Sequence, residues 1–261
     1  METSLRRKTL TLVVTQFCNL NCSYCYQSHK SKKIMNIDVA KSAIDKHIKL
    51  SNDFDEFEID LFGGEPFINT EFIIEICEWT WKQNYNIPMI FFASTNGTLV
   101  HGQIQEWLRK NKNSIWLGLS LDGTPKTHNG NRNNSYDKID INFFLETYPL
   151  QPVQMTINSE SIASLSEDII YLHKLGFKIS AALAQGVKWD IENNKKQFAI
   201  ELKKLSEYYL DNPTITPCTL FEMFLPIIPY KVEQTKWCGC GTHMVTVDID
   251  GKEYPVSLIH I

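Results

Sequence analysis

TLTLVVTQFCNLNCSYC, residues 9–25, passes from an apolar, β-branched half into a half that carries Cys18, Cys22 and Cys25. The first half, residues 9–14, reads as a strand. The cysteines follow it at the spacing C-x3-C-x2-C, which puts three soft thiolates within eight residues. A loop that short can hold three corners of one iron–sulfur cube. Such clusters generally take four cysteines. Three leave one iron without a protein ligand, open to a small molecule. Three clustered cysteines also suit zinc completed by a distant fourth ligand, although structural zinc sites favour C-x2-C pairs.

Outward from this stretch, strand-like and helix-like segments alternate about six times. Strands are expected at 9–14, 57–62, 87–93, 114–120, 152–158 and 177–183. Helices are expected at 38–50, with Asp38 as N-cap, and at 70–83, 101–110, 137–147, 161–174 and within 190–210. Residues 121–137 read as a long polar loop. This alternation predicts the α/β class, with a parallel sheet covered by helices. A right-handed repeat of this length curls into a partial (β/α)6 TIM-like barrel. The cysteine loop, GGEP (63–66), STNG (94–97) and SLDG (120–123) each follow an expected strand end. Four polar motifs therefore fall on the rim where such folds do their chemistry. Past about residue 211 the alternation breaks. DNPTITP (211–217) and PIIP (226–229) are turn-rich, and 243–258 reads as a hairpin about Asp250-Gly251. We expect a barrel domain over 1–211 and a small appended element over 212–261.

The chain has 261 residues, 43% of them apolar, enough for one substantial core. Its net charge is −4 with signs mixed, and the short basic runs at 6–8 and 30–33 read as solvated surface. No basic stripe marks a nucleic-acid partner. No apolar run is long enough to span a bilayer and no signal-peptide core is present, so a cytoplasmic protein is expected. In that compartment the seven cysteines read as metal ligands or core residues rather than disulfides. Cys77, in FIIEICEWTW (72–81), reads as a buried thiol on a helix.

Gly63 and Gly64 allow close backbone approach to a ligand, and Glu65 can accept a hydrogen bond from an ammonium group. An ordinary strand-end turn is the alternative. Ser94, Asn96, Ser120 and Asp122 offer side-chain oxygens to ribose hydroxyls or to polar ligand groups. Helix capping and turn chemistry would account for the same residues.

CNLNCSYCY, with Tyr24 just before the third cysteine, resembles the cluster loop of the radical S-adenosylmethionine (SAM) enzymes. GGEP one β-unit later, TNGT, and SLDGTPKTHNGNR resemble further motifs of that superfamily, in its peptide- and protein-modifying branch. The resemblance implies a [4Fe–4S] cluster on Cys18, Cys22 and Cys25, with the amino and carboxylate groups of SAM on the fourth iron. It places Tyr24 near the adenine, Gly63, Gly64 and Glu65 at the amino group, and Ser94, Asn96, Ser120 and Asp122 around the rest of SAM. It also implies the chemistry: an electron from the reduced cluster breaks the S–C5′ bond, and the 5′-deoxyadenosyl radical takes hydrogen from a peptide or protein substrate. Maturation of a ribosomally made peptide is the expected function. Formylglycine formation by an anaerobic sulfatase maturase is an alternative, and a non-catalytic peptide-binding homologue is a third. A flavodoxin or ferredoxin would supply the electron. No catalytic side chain stands out. Asn129 occupies a position where the family usually has Asp, so a salt link made there would be missing; His128 and Arg132 match. A lone His in such a loop reads as structural or exposed.

KWCGCGTHMVTVDIDGKEYPV (236–256) resembles the opening of the SPASM or twitch auxiliary-cluster element, C-x9–15-G-x4-C. Counting from Cys240 through Gly251 leads to Val256 where the pattern has Cys. The chain ends at Ile261, before the later SPASM cysteines, so a complete second SPASM cluster is not expected. An auxiliary cluster on Cys218, Cys238 and Cys240 with a non-cysteine fourth ligand is one expectation, and unliganded cysteines are the other. The first strand starts by about residue 9, leaving no room for an N-terminal winged-helix recognition domain.

Overall fold

The computed structural model describes residues 6–27, 30–222 and 241–255. Strands β1 (Arg7–Thr15), β2 (Glu56–Gly63), β3 (Met89–Thr95) and β4 (Ile115–Leu119) pair in parallel in the order β4-β3-β2-β1. β5 (Val153–Ile157) and β6 (Ile179–Leu183) form a second parallel pair, joined to the end of β4 by a parallel bridge between Ser120 and Gln154. Helices α1 (Ile37–Lys49), α2 (Thr70–Trp81), α3 (Gln103–Asn111), α4 (Pro125–Asn131), α5 (Ile141–Thr147), α6 (Leu165–Leu175) and α7 (Ile191–Asp211) fill the crossovers and the stretch after β6. The sheet curls but does not close, as the partial barrel requires.

Side-chain alternation along the strands builds the two layers. On β1 and β2, Leu10, Leu12, Phe57, Ile59 and Leu61 are fully buried, with Ile44 of α1 and Ile73 and Ile76 of α2 in the same core. Each such side chain stabilises the fold by about 1.5–3 kcal/mol. Their alternates on β2, Glu58, Asp60 and Phe62, share the opposite face, toward the barrel interior. Cys77 is fully buried in this core, as expected of a structural thiol.

Element boundaries depart from expectation where capping decides them. Asn36, not Asp38, caps α1: its side chain accepts from the Asp38 N–H at 2.7 Å, and Asp38 lies in the first turn. The stretch expected as a loop at 121–137 contains α4. Its composition, PKTHNGN, is poor in helix formers, but Thr124 caps it and Pro125 holds the first turn. α6 ends on Gly176, whose φ of 101° is the left-handed conformation that glycine adopts readily.

The hairpin about Asp250-Gly251 forms, with β7 (Met244–Val247) antiparallel to β8 (Glu253–Tyr254). Its attachment was not anticipated: β7 also pairs in parallel with β1, Thr9 to Met244 through Leu12 to Val247, and so extends the barrel sheet. The expected hairpin residues 256–258 lie outside the described residues. Among the described residues no helix is long and apolar enough to cross a membrane.

Candidate active site

The cysteine loop leaves β1 and is pinned at its root by the β2 turn. Gly64 N–H donates to Thr15 C=O and Glu65 N–H to Phe17 C=O, both at 2.9 Å. A Cβ at Gly64 would sit 2.2 Å from the Phe17 carbonyl oxygen, and one at Gly63 (φ 145°) would sit 2.0 Å from that of Thr15. The close approach that these glycines allow is therefore first to the backbone of the cysteine loop itself. They serve the cavity by fixing where Cys18 emerges. Farther along, Asn19 Nδ2 donates to Thr98 Oγ1 at 2.8 Å and Ser23 N–H to Asn131 C=O at 2.9 Å. Cys25 N–H donates to Cys22 C=O at 3.1 Å, which turns the chain between the last two cysteines. Cys18 and Cys22 are half-buried and Cys25 is exposed. Burial pushes the Cys18 and Cys22 thiols up, which disfavours free thiolate until a cation is present.

Glu65 ties this loop to β3. It is 1% exposed, accepting from Phe67 N–H (3.2 Å) and Thr95 Oγ1 (2.7 Å) at Oε1 and from Asn96 N–H (2.7 Å) at Oε2. Burial pushes its carboxyl up to about 7, against the pull of those donors. An ammonium group brought to the cavity would favour the charged form. Asn96 in turn donates from Nδ2 to Asn19 Oδ1 at 2.9 Å, so the ends of β1 and β3 form one network.

Asp122 stands behind the cavity rather than on its wall. It is fully buried and collects four donors: Tyr24 OH, Asn131 Nδ2 (3.2 Å), Arg132 Nη2 (3.0 Å) and Thr156 N–H (3.1 Å). The Arg132 guanidinium also lies 5.4 Å from the centre of the Tyr24 ring. The carboxylate that the sequence reading offers to ligand groups thus orients Tyr24 and Arg132, which do line the cavity. His128 is buried as well. Its Nδ1 accepts from Asp122 N–H at 3.3 Å, leaving Nε2–H for Ser135 Oγ at 3.0 Å, and burial pushes it down to about 4. It is a neutral structural residue. Asn129 Oδ1 accepts from Tyr136 N–H at 2.9 Å, a task that an amide oxygen performs as well as a carboxylate.

These elements enclose a cavity of about 550 Å3 at the C-terminal ends of the strands. That lies within the span of small-molecule sites, roughly 300–1,000 Å3. Its wall brings together Cys18, Cys22, Cys25, Tyr24, Gly63, Gly64, Glu65, Ser94, Asn96 and Ser120. Tyr26, Gln27, Lys30, Phe62, Phe92, Arg132, Gln154, Thr156 and residues 182–185 complete it. Among the described residues no three His, Cys, Asp or Glu side chains are grouped tightly enough for a single metal ion. A cube presents separate irons to its cysteines and so accepts a wider spread of thiols. Three thiols, one buried acid and a glycine turn around a space of this size fit a cluster with a polar small molecule beside it.

Residues that sequence reading missed are the ones that hold the motifs together. Asn19, Asn131 and Asn158 are examples; Asn158 Nδ2 donates to Asn131 Oδ1 at 2.9 Å. Asn19 and Asn131 lie inside the quoted motifs at positions to which no role was given, and Asn158 ends the strand expected at 152–158. Cys218 is fully buried beside Tyr209, whose OH accepts from Cys218 N–H at 3.0 Å, and it is not on the cavity wall. Cys238, Cys240 and Val256 lie outside the described residues.

Residues 12–142 match the model of the radical SAM superfamily. An uncharacterized protein of Methanocaldococcus jannaschii is 30% identical over 217 residues, covering 78% of this chain and 74% of that protein. The chain belongs to the radical SAM superfamily, whose members are enzymes that use a [4Fe–4S] cluster and SAM. A cysteine-type anaerobic sulfatase-maturating enzyme of Clostridium perfringens is 34% identical over 124 residues, 44% of this chain and 32% of that enzyme. The subtilosin biosynthesis protein AlbA of Bacillus subtilis is 24% identical over 256 residues, 95% of this chain and 54% of that protein. The chain thus spans about a third and about half of these two relatives. In fold it is similar to native anSMEcpe with bound AdoMet and Cp18Cys peptide: TM-score 0.78 and 22% identity, over 98% of this chain and 75% of that one.

Proposed function

We propose that this chain is a radical SAM enzyme acting on a peptide or protein, with maturation of a ribosomally made peptide as its role. One observation carries the reading: four strand-end motifs far apart in sequence line a single cavity with three unpaired thiols on its wall. Similarity to AlbA, named for subtilosin biosynthesis, favours the peptide role. Similarity to the sulfatase-maturating enzyme favours a second reading, formylglycine formation on a sulfatase.

Cys18, Cys22 and Cys25 hold the [4Fe–4S] cluster in this reading, and the wall formed by Tyr24, Gly63, Gly64, Glu65, Ser94, Asn96 and Ser120 holds SAM. The bound cofactors supply one-electron cleavage of SAM and a carbon radical that takes a hydrogen atom from the substrate. Glu65, poised between neutral and charged, accepts the methionyl ammonium. Arg132 offers its charge to the carboxylate side, with Asp122 holding it in place. Tyr24 presents a ring fixed at its hydroxyl. Residues 182–185, on the far wall, face the substrate. A flavodoxin or ferredoxin delivers the electron.

The test is anaerobic reconstitution with iron and sulfide, followed by SAM and dithionite. The reading expects 5′-deoxyadenosine from the wild-type chain. It fails if the iron-loaded protein leaves SAM intact. Adding a short cysteine-bearing sulfatase peptide separates the two roles: formylglycine in that peptide supports the second.

A further inference from the structure

Two cations line the cavity, Arg132 and Lys30. Arg132 is paired with Asp122 at 3.0 Å. Lys30 opens the basic run 30–33, whose Lys32 and Lys33 are exposed, as solvated surface should be. Lys30 instead is half-buried and turns back onto the cysteine loop. Its Nζ donates to Leu20 C=O at 2.6 Å and to Asn21 Oδ1 at 3.4 Å. Both acceptors lie in the stretch between Cys18 and Cys22. On either side of Lys30, Gln27 Nε2 donates to Gln16 C=O at 3.0 Å and Ser31 Oγ to Gln16 Oε1 at 2.6 Å, which ties the segment to the root of the same loop.

These partners satisfy hydrogen bonds but not charge. Among the described residues Lys30 makes no ion pair. An ammonium held on neutral oxygens leaves its field free to act on whatever shares the space, and three unpaired thiols share it. Burial is the largest influence on the Cys18 thiol and pushes it up, while the Lys30 charge pulls it down. A cube on three thiolates is negatively charged overall, and reduction adds one more negative charge. Net charge and hydrogen bonding around a cluster set its potential, so a fixed cation there favours the reduced form.

We propose that Lys30 tunes the electron-transfer step: its ammonium, fixed on the Leu20 carbonyl, raises the reduction potential of the cluster held by Cys18, Cys22 and Cys25. The inference rests on the radical SAM reading of those cysteines and adds a residue to it. One electron passes from the flavodoxin or ferredoxin donor to the cluster, and Lys30 eases that transfer without gaining or losing a proton. Arg132 cannot take this part, because Asp122 already balances its charge.

A redox titration of the reconstituted protein without SAM, followed by the electron paramagnetic resonance signal of the reduced cluster, tests this. Lys30→Gln can still donate to the Leu20 carbonyl but carries no charge. It should change the ratio of reduced to oxidised cluster about tenfold at a given potential, ~59 mV toward more negative values for one electron. Lys30→Arg keeps the charge and should titrate near the wild type. Iron content, measured on each protein, separates tuning from a merely structural staple, which would alter cluster retention and leave the potential in place. Equal potentials in the wild type and Lys30→Gln, equal shifts in Lys30→Gln and Lys30→Arg, or loss of the cluster from both variants would overturn the inference. Iron uptake by the wild-type protein is read separately and reports on the cluster reading alone.

Discussion

The two walls of the cavity are built on opposite plans. The wall from β1 to β4 is bonded to itself: Glu65 accepts three donors, Asp122 four, and Asn19, Asn96 and Thr98 close a ring between loop and strand. The wall at the end of β6 offers Ala182, Leu183, Ala184 and Gln185, with Leu183 46% exposed. Its outer edge is met by Thr219, whose Oγ1 both accepts from Ala181 N–H (2.8 Å) and donates to its C=O (3.1 Å). Preorganised polar groups hold a fixed cofactor geometry without reorganising on binding. A sparse apolar wall suits a substrate of variable shape. In the proposed reading cofactor chemistry belongs to the first wall and substrate selection to the second.

The contrast is broken hardest by Asp122→Ala. Removing one partner of a buried ion pair destabilises by about 3–5 kcal/mol, and the orphaned Arg132 should be visible as a lowered melting temperature. Weaker SAM binding should accompany it in calorimetry. Gly64→Ala comes next. Its methyl group collides with the Phe17 carbonyl, so the loop root must move, at about 1–3 kcal/mol; iron uptake after reconstitution should fall even where the chain stays folded.

A smaller effect sharpens the role of His128. Its folded pKa, about 4, lies below the unfolded value of about 6.5. Above pH 6.5 both states are neutral there and the contribution to stability is fully present. As pH falls from 6.5 toward 4 the unfolded chain takes a proton that the folded chain refuses, and stability is lost. His128→Gln should therefore flatten the fall in melting temperature over that window. On the opposite wall, Leu183→Ser should change stability by less than about 0.5 kcal/mol while altering peptide affinity. A large loss of stability there would erase the distinction between the walls.

Much of the first wall was legible in the sequence because each motif there is local. Three cysteines in eight residues, GGEP and SLDG each announce a turn at a strand end. Their convergence followed from strand–helix alternation alone. What stayed hidden depends on register and on distance along the chain. Asp122 carries a motif position, but its four donors come from residues 24, 131, 132 and 156, so its place behind the wall could not be read locally. The two glycines show their reason only once Thr15 and Phe17 lie against them. α4 was missed because propensity argued against it while Thr124 and Pro125 decided it. The parallel seating of β7 on β1 joins residues far apart in the chain, and nothing in a hairpin pattern specifies that neighbour.

The most direct trial of the account is iron and 5′-deoxyadenosine measured side by side in wild-type chain and in Cys18→Ala/Cys22→Ala/Cys25→Ala, both reconstituted anaerobically. The account predicts about four fewer irons per chain in the triple variant, and no 5′-deoxyadenosine from it. Equal iron in the two proteins with SAM cleavage preserved, or zinc in place of iron at the wild-type loop, would contradict it.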